Sequence, residues 1–104
     1  MESTLNISAN LKAVDTIKSE ILYEVSRLYH YLSEYNDDDN LGDVTEAVAT
    51  IIAMDYILAR RVGISFSDID KKILSFLNMA IDQNHELEIE FSDMSDLKRY
   101  IDVR

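Results

Sequence analysis

The chain has no cysteine, no proline and only two glycines in 104 residues. Without cysteine there is no disulfide framework and no thiolate metal site. Sheets need frequent turns, and turns draw on glycine and proline, so their scarcity favours a few long helices. No apolar stretch reaches membrane-spanning length without a charge. The opening MESTLNISANLK has no basic segment followed by an apolar run, so it does not read as a signal peptide. The expectation is a soluble, cytoplasmic protein with no membrane partner. Basic residues are also in short supply: Lys+Arg is 10 against Asp+Glu 20, a net charge of −10. That balance argues against a nucleic-acid backbone as partner. It fits a solvated surface, a divalent-cation site, or an acidic face offered to a basic protein.

What is present reads as one globular domain, residues 1–104. Hydrophobic residues make up 47% and charged residues 29%, which is not a disordered composition. A chain this short buries a thin core, so self-association would help it.

Residues 1–9 are polar and read as an extended or frayed segment. From Asn10 to Tyr35 the apolar positions Leu11, Val14, Ile17, Ile21, Val25, Leu28, Leu32 and Tyr35 recur every three or four residues. This predicts one long amphipathic helix. The run NDDDN, 36–40, ends it, because asparagine and aspartate favour turns. It resembles the start of a calcium loop but lacks the glycine and closing glutamate of an EF-hand. A second helix is expected from the capping aspartate Asp43, with Glu46 three residues on as in a capping box. From Val44 to Val62 it is apolar nearly all round, so it is expected to be central, wrapped by neighbours or by another subunit. Gly63 is a natural residue to end it. Ser65 or Ser67 can cap a third helix whose apolar face includes Ile69, Ile73, Phe76, Leu77 and Ile81. ELEIEF, 86–91, alternates like a strand. With nothing to pair against, it is expected to form an extended or helical arm. DMSDLKRYI predicts a short last helix with Leu97, Tyr100 and Ile101 inward.

Three groups of residues raise chemical questions. Glu20, Glu24, Arg27 and Tyr31 share one flank of the first helix, beside its apolar stripe. They form either an altered metal or phosphate site, with Arg27 binding phosphate, or a plain surface pair between Glu24 and Arg27. Asp55 is surrounded on its own helix by Val48, Ile51, Ile52, Leu58, Ala59 and Val62. A buried lone carboxylate is costly, so it must be a ligand, a neutral acid, or half of a salt bridge within or between subunits. His30 and His85 have no ligand partner at helical spacing and read as surface or seam residues. The six tyrosines could stack on a base, but on helical stripes they more often fill a core or an interface.

The segment VATIIAMDYILARRVGISFSDIDKKI resembles the second core helix and following turn of the MazG-like all-α nucleotide pyrophosphohydrolases. IKSEILYEVSRLYHYL falls where that family carries its first acidic helix. HELEIEFSDMSDLKRYI is similar to the ends of short MazG-like proteins of Gram-positive bacteria and their phages. The resemblance implies an all-α bundle of three main helices plus a short C-terminal helix, completed by dimerisation or higher self-association. It also implies hydrolysis of nucleoside triphosphates to monophosphates and pyrophosphate, using magnesium held by E-x-x-E on one helix and E-x-x-D on the next. Here Glu24 matches the first glutamate, but the second falls on Arg27, and Glu20 lies one turn earlier. Counting back from RVGI puts the aspartate position on Thr50, with Glu46 four residues away. Matching LGDV puts it on Asp43, with Asn40 in the glutamate position. The metal ligands implied are therefore Glu20, Glu24, Glu46 and Asp43, in an incomplete motif. Three functions follow as expectations. One is a non-catalytic or repurposed family member that binds a nucleotide or a protein. Another is a divergent magnesium-dependent nucleoside triphosphate pyrophosphohydrolase. The last is an acidic inhibitor, immunity or anti-defence protein acting on a basic partner.

Overall fold

The computed structural model describes residues 3–33 and 40–102. Tyr35 and the first four residues of NDDDN lie outside the described residues. The described chain is all-α: α1 (Ser3–Leu32), α2 (Leu41–Arg61), α3 (Phe66–Asp82), α4 (Glu86–Phe91) and α5 (Asp93–Asp102). It divides into two compact units, residues 1–64 and 65–104.

The first unit is an antiparallel pair of helices. The Asn10 amide, near the start of α1, donates to the Arg61 carbonyl at the end of α2, at 2.5 Å. At the other end the Asn40 amide donates to the Tyr31 carbonyl at 3.4 Å. Ile17 and Ala47 are buried, and Ala47 is wholly so. α1 begins at Ser3 rather than Asn10, so the segment expected to fray is helical from residue 3. Its residues include Leu5 and Ile7, and it contains no glycine or proline to stop the helix. α2 likewise begins before Asp43. Asn40 is its N-cap, without a side-chain cap bond, and Asp43 sits in the first turn, where its charge suits the helix dipole. The end of α2 is as expected. Gly63, with φ of 96°, lets its own N–H reach the Arg60 carbonyl and the Ile64 N–H reach the Ala59 carbonyl. This pair of hydrogen bonds satisfies the last carbonyls of a helix.

Within a single chain, the described residues do not wrap α2 on all sides. Val48, Ile52, Ile57 and Val62 are exposed. Asp55, expected to be buried, is exposed too. Its apolar neighbours suggested burial, but α1 covers only one side of α2, and Asp55 lies off that side.

The second unit packs α3 against α5. Ser65 caps α3 by accepting from the Asp68 N–H at 3.0 Å. Leu77, Ala80 and Met94 form its core, with Ile73, Ile81 and Ile101 against them. Met94 takes the inward place on α5, while Leu97 and Tyr100 are exposed. ELEIEF is helical, with His85 Nδ1 capping its start by accepting from the Leu87 N–H at 3.1 Å.

The corner between α4 and α5 turns on Ser92 in the left-handed conformation. Across it, the Glu88 carboxylate accepts from the Ser95 N–H at 2.9 Å and from the Ser95 hydroxyl. Ser95 lies in the first turn of α5, so Glu88 satisfies a donor the helix leaves open. These bonds from Ser95 hold the Glu88 carboxyl below its ordinary range. A carboxylate whose folded pKa is depressed contributes stability above its unfolded pKa and loses it as pH falls toward the folded value. Glu88→Ala is therefore expected to lower the melting temperature at pH 7. The gap to the parent protein should close below about pH 4. Thermal melts from pH 7 to 3 check this, and a gap that does not change with pH would remove the carboxylate from the account.

Candidate functional site

The antiparallel register decides which side chains meet across α1 and α2. Asn10 lies level with Arg61, and Tyr31 with Asn40. In that register the second half of α1 faces the first half of α2, and Arg27 comes opposite Glu46. Side chains three and four apart on α1 stack on one flank. Glu24, Arg27 and Tyr31 therefore gather where Glu46 arrives from the other helix.

Arg27 is the centre of this group. Its Nη1 donates to Glu24 Oε1 at 2.9 Å. Its Nη2 donates to the Tyr31 hydroxyl oxygen at 3.3 Å and to Glu46 Oε1 at 3.4 Å. The guanidinium carbon lies 5.5 Å from the centre of the Tyr31 ring and 5.9 Å from that of Tyr23. Such contacts favour a cation over a π-face. Arg27 and Glu24 are only 23% and 14% exposed, while Glu46 is 68% exposed. The pair with Glu24 is thus partly withdrawn from water, and the bond to Glu46 lies at the rim. The Arg27 pKa is pushed above its already high value, chiefly by the hydrogen bond to Tyr31 and then by the charge of Glu24. The cation is permanent.

Of the residues expected to hold a metal, Glu24 and Glu46 converge, and they converge on Arg27. Glu20 is exposed on α1, and Asp43 is exposed in the first turn of α2. Neither side chain makes a hydrogen bond or ion pair with the described residues. Thr50 is half-buried further along α2. Among the described residues no three carboxylates or histidines lie close enough to hold one ion. Magnesium prefers near-octahedral oxygen ligation, and a guanidinium fills the space between the two converging carboxylates. The described residues, as arranged, do not fit a magnesium ion. Asp55 makes no hydrogen bond or ion pair with a described residue, and it does not join this group.

The contact from Arg27 to Glu46 was not anticipated from the sequence, where Glu24 and Arg27 read as a pair within one helix. The signal for it is the register. Once a short connection joins two antiparallel helices, residues equally far from the turn face one another. Tyr23 was likewise singled out only as one of six tyrosines, and its ring contact depends on where Arg27 is held.

No curated protein and no solved structure matches the chain. A family model does, over residues 7–94, and it is that of the MazG-like family. The match spans α1 to the first turn of α5, including both helices that meet at Arg27. No helix is long and apolar enough among the described residues to cross a membrane. The chain is a MazG-like helical protein and belongs to the MazG-like family.

Proposed function

We propose that this protein is a non-catalytic MazG-like protein that acts by binding a protein partner rather than by hydrolysing nucleotides. The observation that carries the reading is the guanidinium of Arg27 between Glu24 and Glu46. A fixed monovalent cation occupies the position where a dication and its bound phosphates would need oxygen ligands. It supplies no exchangeable ligand position and no metal-bound water. Two carboxylates against one guanidinium also leave the group with negative charge in excess, which disfavours a triphosphate. With both terminal nitrogens of Arg27 already donating, the fork that would grip a phosphate is engaged.

A second reading rests on the same convergence. Glu24 and Glu46 come from two helices, as a two-helix metal site requires, so a divergent magnesium-dependent pyrophosphohydrolase would use them after Arg27 swings away.

Pyrophosphate release separates the two. Across canonical and modified nucleoside triphosphates, with magnesium or manganese, the parent protein is expected to stay at background. Metal-dependent release that disappears in Glu24→Gln would overturn the non-catalytic reading and install the enzyme.

A further inference from the structure

We propose that α4 is an acid-released arm: a proton taken up by His85 removes the cap that starts this helix and loosens Glu86–Phe91 from its helical fold. The release does not depend on whether the chain turns over nucleotides.

Little besides its two ends holds α4 in place. It is six residues long and contains no buried residue. Leu87, Ile89 and Phe91 are all exposed. A helix shorter than about 12 residues is marginal in water unless packing supports it. At the start of α4, His85 serves the first turn with both its backbone and its ring. Its carbonyl accepts from the Glu88 N–H at 2.9 Å and from the Ile89 N–H at 3.0 Å. Its ring Nδ1 accepts from the Leu87 N–H at 3.1 Å. At the far end, Ser92 takes the left-handed turn, and the Glu88 carboxylate accepts from the Ser95 N–H and hydroxyl. Both side-chain fastenings are acceptors that work only without a proton.

The two fail at different acidities. The Nδ1 lone pair that accepts from Leu87 is also the one that binds a proton. An imidazolium carries N–H on both nitrogens and accepts nothing. Proton and cap compete for one position, so the cap is present above the range where imidazoles charge, near about pH 6.5, and is lost below it. The ring is exposed, and solvent protons reach it without any opening of the fold. Once charged, it also sets a cation against the positive end of a helix. The charged groups on the adjoining elements include Asp82 at the end of α3, Glu86 and Glu88 in the first turn of α4, and the Asp96–Arg99 pair on α5. None is ion-paired to His85 among the described residues, so no existing salt bridge takes over when the cap goes. The Glu88 fastening persists to lower pH, because Ser95 holds that carboxyl below its ordinary range. Between about pH 7.5 and 5, His85 is therefore the fastening that changes.

Hydrogen exchange in the full chain tests this, read as protection factors so that the intrinsic effect of pH on exchange cancels. Protection of the Leu87, Glu88 and Ile89 amides is expected to fall about fivefold between pH 7.5 and 5, the effect of losing one cap. Leu77 and Ala80 in α3 should keep theirs. His85→Asn supplies an amide oxygen that accepts at any pH, and should hold the protection of α4 constant across the range. His85→Ala should leave it low throughout. Ring nitrogen shifts, assigned to His85 by their absence in His85→Asn, should show the neutral ring protonated on Nε2. Should a variant lose helicity, the pH dependence of the parent protein and its ring shifts still decide. A neutral ring protonated on Nδ1, parent protection that does not change from pH 7.5 to 5, or a folded His85→Asn that loses protection as the parent does would each overturn the proposal.

Discussion

Arg27→Glu is expected to turn the join between α1 and α2 into a repulsive cluster. Glu24 and Glu46 would then face a third carboxylate in place of the guanidinium that both now contact. Removing one partner from a half-buried pair leaves the other charge without compensation, and this costs more than the pair itself contributes. The melting temperature should fall by at least about 5 °C at pH 7. Crowded carboxylates titrate above their ordinary range. Their folded pKa would exceed the unfolded one, so the variant should be least stable at neutral pH and recover as pH falls toward and below the unfolded carboxylate pKa. Millimolar manganese or magnesium should restore part of the loss, because three carboxylates would then face the place where one cation sat. Turnover should not appear, since Thr50 or Asn40 still leaves the second helix short of an acid. Thermal melts with and without metal, across pH, measure all of this. A variant as stable as its parent in the absence of metal would show that Arg27 does not hold the two helices.

Leu77→Ala is expected to have the largest effect on the second unit. Leu77 is 2% exposed and is the largest fully buried side chain among the described residues. It packs with Ala80 and Met94, and Ile73, Ile81 and Ile101 close around them. Truncating a leucine in such a place typically costs about 2–5 kcal/mol, from lost transfer free energy and the cavity left behind. A core of so few side chains has little to redistribute, so the value should fall in the upper half of that range. Leu77→Met keeps the volume and should cost less than about 1.5 kcal/mol. Urea denaturation gives both numbers, and hydrogen exchange over residues 65–102 shows where the loss falls. A cost below about 1 kcal/mol for the alanine variant would mean that the core lies elsewhere.

The helices were legible in the sequence because their signals are local. The three-and-four spacing of α1, the serine cap of α3 and the glycine that ends α2 each act through bonds within a few residues. For ELEIEF, where alternation alone pointed the wrong way, the expectation was an extended or helical arm, and the segment is helical. His85 caps that segment, and Glu86 and Glu88 fall in its first turn. The starts of α1 and α2 were placed too late, since helix propensity carries past the first apolar position. Burial was harder. Asp55, Leu97 and Tyr100 were assigned from neighbours on their own helix, and Met94 was passed over, whereas burial depends on which side another element covers. The candidate site was half legible for the same reason. Glu24, Arg27 and Tyr31 share a flank, which spacing reveals, but the arrival of Glu46 is a tertiary fact set by register.

The guanidinium between Glu24 and Glu46 has a bearing on how this protein would fare as its surroundings change. A join made by a bound ion weakens when a chelator or a depleted supply removes that ion. Arg27 is part of the polymer and cannot be withdrawn. Its proton is retained throughout the physiological range, so the bridge stays charged from the cation side at any pH the cell reaches. The positive charge at this contact between the two helices is therefore supplied by the chain itself.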